Sequence, residues 1–410
     1  MRRFSLATCL STAALCVLVS CGSSTADAPS TTAGATTSSA PATTAPTAAV
    51  TPTTALSGDF YASPSNLSSL QPGDLIRSSI VSTTNDFTAF TVLYASRSVS
   101  DAPVAVSGMV WVPNTPTAGN PLISYAHGTT GIADECAPSK SNGAGETGVI
   151  ANILVPKGYI FAATDYEGLG TAGVHPYVVG ISEARSMLDI IRAARQLTES
   201  SGKSVVWGHS QGGGAALMAA EAAPNYAPDT QVVGAIGGAP VVELDKLGSV
   251  FTVTDSFGFM FMVAAGFRAA YPTIDLSQVM TQKGLDMVAL AESTCTDVIT
   301  KARGTDVKTY LTVDSLNTEP LLSHLKENTP GNSATNIPIF VYHGEADELI
   351  PAATSLQYLQ RACATGGYNI ERKTYPGASH VDVLFSASED IQQWITNRFS
   401  GAALTPTPCT

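Results

Sequence analysis

Charge is scarce in this sequence: Asp, Glu, Lys and Arg make up only 13% of its 410 residues, with 21 basic residues against 33 acidic ones. A formal net charge of −12 offers no basic surface to a polyanion, which excludes nucleic acid as a natural partner. The seven cysteines include no closely spaced Cys/His set of the zinc type, so the pattern calls for no structural metal. No internal repeat is visible. Beyond the N-terminus no apolar run reaches membrane-spanning length: within DSFGFMFMVAAGFR only twelve residues separate Asp255 from Arg268, where a spanning helix needs about 20.

What is present begins with export. Arg2 and Arg3 precede the apolar run LATCLSTAALCVLVS, which has the order of a signal peptide over residues 1–20. Leu18-Val19-Ser20-Cys21 resembles the lipobox of bacterial lipoproteins, in which cleavage leaves the cysteine to carry lipid; an ordinary signal peptide is the alternative. The expected location is therefore the cell envelope, through a membrane anchor at Cys21, or the exterior. From Gly22 to Ser57 the chain is almost entirely Ser, Thr, Ala, Pro and Gly, with Asp27 its only charge. Such a segment cannot bury enough apolar surface to offset its chain entropy, so 21–57 is expected to be a disordered tether.

The folded domain is expected over 58–410. FTAFTVLYAS and APVAVSGMVWVP suit an antiparallel hairpin at a sheet edge. The short apolar strands PLISYAH, YIFAATD, SVVWGHS, QVVGAIG and IPIFVYH then alternate with helix-period segments. One of these, ISEARSMLDIIRAARQL, repeats Ala184, Leu188, Ile191 and Ala194 at helical spacing and should pack one face on the sheet. Strand and helix in alternation imply a mainly parallel central sheet with helices on both faces.

Within VVWGHSQGGG, Gly208 and Gly212 stand two residues either side of Ser210. A strand that turns at once into a helix strains the residue at the bend and leaves room only for very small neighbours. G-x-S-x-G between a β-rich run and the helix-forming GGAALMAAE (213–221) is the nucleophile elbow of α/β-hydrolases, which lifts the serine hydroxyl clear of the sheet. Such a serine needs a base, an acid to orient it, and oxyanion donors. In that fold the chain order is Ser, acid, His. IPIFVYHGEADELIP supplies Glu345, Asp347 and Glu348 after a strand, with Asp347 favoured by H-G-x-x-D and the other two expected in a solvated loop. RKTYPGASHVDV supplies His380 in a loop after another strand, on the same sheet edge. His343 is expected to shape the acid loop, His209 to point away from the site, and His175 and His324 to lie at the surface. The oxyanion amides are expected from Gln211, after the nucleophile, and from YAHGTTG, where Thr129 is favoured over Gly128.

AHGTTG, TDYEGLG, GHSQGG, HGEADELIP and PGASH stand in the order and spacing of the secretory lipase family, the group resembling fungal lipase A, and the similarity runs from about Phe60 to the C-terminus. It implies a triacylglycerol lipase or carboxylesterase with Ser210, Asp347 and His380 as the triad and no cofactor. Fungal members carry a different stretch in place of HGTTG. Once Cys21 is lipidated, Cys136, Cys295, Cys363 and Cys409 remain for two disulfides in an exported chain, and the resemblance pairs Cys136 with Cys295 and Cys363 with Cys409.

The chain between Ser210 and Asp347 is longer than a bare core needs, and a helical insertion over about 241–332 reads as a cap. Of Phe257, Phe259, Met260, Phe261, Met262 and Phe267, only some can face an acyl pocket at once. The substrate expected is a lipid or small ester. The rivals are a secreted serine peptidase and a ligand-binding lipoprotein, which would have no need of an intact triad.

Overall fold

Nine short strands pair into one sheet in the order β1-β2-β3-β5-β4-β6-β7-β8-β9 in the computed structural model, which describes residues 58–246, 256–312, 318–366 and 369–410. The signal segment, Cys21 and the tether lie outside the described residues. The strands are β1 (Leu75–Thr83), β2 (Phe87–Arg97), β3 (Pro103–Pro113), β4 (Leu122–Ala126), β5 (Ile160–Glu167), β6 (Ser204–His209), β7 (Val232–Gly238), β8 (Ile339–Gly344) and β9 (Ile370–Tyr375). The first three are antiparallel and β3 is antiparallel to β5, whereas β5, β4, β6, β7, β8 and β9 run parallel. This is the α/β-hydrolase architecture.

FTAFTVLYAS and APVAVSGMVWVP do form a hairpin, in register from Phe87↔Pro113 to Arg97↔Pro103. It is not the edge. LIRSSIVST forms β1 outside it, polar and largely exposed as an edge strand tends to be. β4 and β6 are buried along their whole length because helices cover both faces, which explains their near-continuous apolar composition.

On one face lie α2 (Gly180–Thr198) and α3 (Gln211–Tyr226), whose Leu188, Ile191, Ala216 and Leu217 join the strand side chains. On the other lie α1 (Glu146–Leu154) and the C-terminal helix, which contribute Ile150, Leu154, Trp394 and Ile395. In α2, Ala184, Leu188, Ile191 and Ala194 are fully buried as their spacing requires, but so are Met187, Asp189, Ile190 and Ala193. Burial reaches beyond one face because α3 packs beside α2 while the sheet lies beneath it. The helix after the elbow runs five residues past its expected end, with Pro224 near its last turn.

Between β7 and β8 the described chain forms α4 (Phe259–Ala270), α5 (Gln282–Ser293), α6 (Asp297–Ala302) and α7 (Leu321–Glu327). Their apolar core includes Phe261, Phe267, Val288 and Val298, and it is continuous with Tyr177, Val178 and Ile350 from loops beside the sheet. The insertion therefore shares its core with loops beside the sheet. Beyond β8 come α8 (Ala353–Thr365), α9 (Asp382–Ser386) and α10 (Ser388–Ser400). Two disulfides, Cys136–Cys295 and Cys363–Cys409, match the pairing that the family resemblance implies. Among the described residues no helix is long and apolar enough to cross a membrane.

Candidate active site

The elbow is built by steric exclusion. Ser210 sits between β6 and α3 at φ 58°, ψ −120°, a strained conformation for a residue with a Cβ. A Cβ on Gly208 would lie 2.1 Å from the Gly212 carbonyl oxygen, and one on Gly212 would lie 1.9 Å from that of Ala126. Both positions exclude any side chain, because backbone from β4 and α3 closes on the turn. The Ser210 N–H donates to Gly238 O at 2.8 Å, and Ser210 O accepts from Val241 N–H at 3.1 Å.

The parallel sheet brings the loops after β6, β8 and β9 to one edge. There His380 Nε2 stands 2.9 Å from Ser210 Oγ, and His380 Nδ1 stands 2.7 Å from Asp347 Oδ2. Asp347 Oδ1 accepts the N–H groups of Leu349 (2.9 Å) and Ile350 (2.7 Å). His343 Nε2 reaches both Ile350 O at 2.9 Å and Asp347 Oδ2 at 3.2 Å, so it shapes the acid loop as expected of it. Burial alone would raise the Asp347 carboxyl, but hydrogen bonds from His343, His380 and the Ile350 N–H outweigh it and hold the group well below the usual carboxylate range. Glu345 accepts from Thr374 Oγ1 at 2.8 Å. Glu348 is more than a solvated loop residue: its Oε2 accepts the His380 N–H at 3.1 Å and so helps hold the histidine loop.

Two histidines depart from their expected places. His175 is fully buried instead of lying at the surface, because its ring stacks on Tyr166 and Nδ1 meets Glu167 O at 2.9 Å. His209 does not turn away from the site. Its ring stacks on Tyr342, stands 5.1 Å from that of His380, and lines the cleft at Ser210. Burial pushes both imidazoles down to about 3, so they are neutral. His324 is half-buried, stacked on Tyr271.

Behind the elbow, Gln211 Nε2 donates to His175 Nε2 at 2.9 Å and to Glu183 Oε1 at 2.7 Å. Glu183 Oε1 also accepts the Val178 N–H at 3.0 Å, and burial pushes this carboxyl up to about 8. Gln211 is thus locked by its own side chain, and its N–H belongs to the first turn of α3, where amides have no intrahelical partner. In the loop after β4 the Gly128 N–H points to Glu146 Oε1 at 3.3 Å, an atom that also accepts Tyr125 O–H at 2.6 Å. Thr129 Oγ1 bonds Tyr177 OH at 2.7 Å and borders both spaces that meet at Ser210. The loop motif predicts neither Glu146 nor Glu183, since both reach the site from helices distant in sequence.

One of those spaces is an apolar pocket under α4. Phe259, Met260 and Val263 line it with Val178, Leu325 and Ile350. Phe257 and Phe261 pack on Tyr310 inside the insertion, and Met262 and Phe267 are fully buried. The other space is an open cleft past Glu146, Val381 and Leu384. Among the described residues no three His, Cys, Asp or Glu side chains gather to hold a metal ion.

The secretory lipase family profile matches residues 142–406, more than half of the chain. The chain belongs to the secretory lipase family. It is 28% identical over 357 residues to lipase A of Moesziomyces aphidis, covering 78% of this chain and 75% of that protein. A probable inactive lipase of Mycobacterium tuberculosis is 27% identical over 386 residues, covering 87% of this chain and 85% of its own. Among solved structures, the closed state of Candida antarctica lipase A aligns at a TM-score of 0.76 and 24% identity over 86% of this chain and 87% of that one. That likeness concerns the fold.

Proposed function

We propose that this secretory lipase cleaves carboxylic esters of apolar acids through an acyl-enzyme, with Ser210 as nucleophile, His380 as base and then acid, and Asp347 as the group that orients the imidazole. The observation that carries the reading is the unbroken chain Ser210 Oγ–His380–Asp347 at 2.9 and 2.7 Å, with its serine at the mouth of an apolar pocket. His380 Nε2 takes the Ser210 proton as Oγ attacks the carbonyl carbon. Asp347 accepts from Nδ1–H and stabilises the imidazolium. The N–H groups of Gln211 and Thr129 receive the oxyanion; Gly128 is set aside because its N–H is directed at Glu146. The imidazolium then gives its proton to the departing alkoxide, and water repeats the sequence on the acyl-enzyme.

The insertion over about 241–332 serves as a cap whose α4 forms the acyl wall. Membership of this family accords with export, and lipid attachment at Cys21 would hold the enzyme at a membrane surface beyond the 21–57 tether. An apolar pocket with few polar groups favours a fatty acyl chain over a peptide. The test is hydrolysis of nitrophenyl esters beside peptide anilides, with Ser210→Ala as control. Ester turnover lost in a folded Ser210→Ala protein is the expected result, and turnover retained at the wild-type level overturns the assignment.

A further inference from the structure

A second apolar surface lies beside the site and takes no part in the acyl pocket. Among the described residues, six large hydrophobic side chains are exposed, and four of them, Val149, Ile153, Val381 and Phe385, gather in one place. They border a groove between α1 and α9, floored by Trp207 and Leu384. Four exposed hydrophobic side chains gathered around one groove are a candidate binding surface.

The groove's inner end identifies what lies in it. Glu146, Val381 and Leu384 line both the groove and the cleft that opens on Ser210 and His380. Trp207 of its floor stands three residues before Ser210 on β6. Ser210 thus sits between two apolar spaces, one under α4 that it lines itself and one across α1 and α9 that is reached through the cleft. An ester bound with its carbonyl at Ser210 has two arms that leave in different directions, and the apolar space under α4, which Ser210 itself lines, takes the acyl arm. The alcohol oxygen must meet His380 Nε2–H to leave, and Val381, the next residue, borders the way to the groove.

We infer, resting on the proposed ester hydrolysis, that this groove is a subsite for the apolar part of the alcohol leaving group, so that the preferred substrates are esters with a long neutral chain on both sides of the scissile bond. The groove is concave and continuous with the reacting atoms, which fits a single chain of the substrate better than the face of a bilayer. Its lining is apolar apart from Glu146, Ser388 and Gln392. A carboxylate at its inner end disfavours an anionic alcohol moiety there.

The experiment holds the acid fixed as butyrate and lengthens the alcohol from methanol to decanol, measuring kcat/KM below the solubility limit of each ester. In the wild type kcat/KM should rise about twofold per added methylene, as for a chain half-covered by apolar wall. Phe385→Ser and Ile153→Ser, both at exposed positions, should lower the decyl-to-methyl ratio at least tenfold. A wild-type ratio that stays flat while acyl length still matters overturns the inference and leaves the ester hydrolase reading standing. Variants that keep the ratio but lose binding to phosphatidylcholine vesicles would make the surface a lipid-docking face instead. A change of sedimentation in those variants with the ratio intact would make it a contact between copies of this chain. Absence of turnover on every ester, with the wild type folded, would sink the functional reading itself.

Discussion

Removing the Cys136–Cys295 bridge should loosen the insertion and the oxyanion loop together. The bond joins residues 159 apart in sequence, whereas Cys363–Cys409 joins residues 46 apart. In the chain-entropy account a cross-link restricts the unfolded chain by about −2.1 − 1.5R ln n cal/mol/K, which gives roughly 5 kcal/mol for the longer loop and roughly 4 kcal/mol for the shorter at 25 °C. A domain of roughly 350 residues has an unfolding entropy of roughly 0.7 kcal/mol/K, so the two losses lower Tm by about 7 °C and about 6 °C.

The native side separates them further. A Cβ on Gly131, two residues past Thr129, would lie 2.5 Å from Cys295 Cα and 2.8 Å from Cys136 Sγ, so this bridge packs directly against the loop proposed to carry the Thr129 oxyanion donor. The C-terminal tail, in contrast, remains held to β9 by Thr407 N–H to Ile370 O at 2.7 Å and by Arg372 N–H to Thr407 Oγ1 at 2.8 Å. The paired Cys136→Ala/Cys295→Ala variant is therefore expected to lose about tenfold in kcat besides its Tm, since small misplacements of oxyanion donors are costly. Cys363→Ala/Cys409→Ala should lose Tm alone. Calorimetric scans and ester turnover on the two variants decide the matter. An equal or larger Tm loss in the second variant, or an unchanged kcat in the first, refutes the reasoning.

Asp347→Asn should lower kcat by up to roughly 10⁴-fold in ester assays, and Glu345→Gln should leave it near the wild-type value. With alcohol held constant, kcat/KM should rise up to about fourfold per acyl methylene from acetate until the space under α4 is full; a sharp preference for acetate would mark a small-ester carboxylesterase. Gly212→Ala should abolish folded yield, because its Cβ would lie 1.9 Å from a backbone oxygen. Burial raises the Glu183 carboxyl from an ordinary 4.5 to about 8, so the native chain keeps a proton that the unfolded chain has shed: the stability is full below about pH 4.5 and is lost as pH rises through about 8. Tm measured across that window should fall by several degrees more in the wild type than in Glu183→Gln, whose amide oxygen still accepts from Gln211.

The elbow was legible because its requirement is local: the space at Gly208 and Gly212 is set by a turn four residues wide. Asp347 and His380 were legible because alternating strands place their following loops on one edge whatever the helices do. Three things were hidden for the opposite reason. LIRSSIVST is too polar to advertise a strand, since an edge needs only one covered side. His175 reads as a surface residue until the fold sets Tyr166 and Gln211 against its ring. The partner of the Gly128 N–H, Glu146, stands at the start of a helix 17 residues beyond Thr129 and lies outside the loop motif.

The charges around Ser210 form a consistent set. Burial pushes His175 and His209 down to about 3, lowers His127 as well, and raises Glu183 to about 8, so these groups are neutral near pH 7. Asp347 is held ionised in the same surroundings by donors on both of its oxygens. In the proposed mechanism, attack by Ser210 puts a positive charge on His380 and a negative one on the substrate oxygen. The imidazolium faces a full countercharge 2.7 Å away, while the oxyanion faces neutral N–H dipoles. A charged His175 or His209 would weaken the base by repelling its proton, and an ionised Glu183 behind Gln211 would set a negative charge behind the oxyanion donor. His127, His175, His209 and Glu183 are therefore of a kind that can be buried beside the elbow without competing with the one ion pair that the proposed chemistry creates.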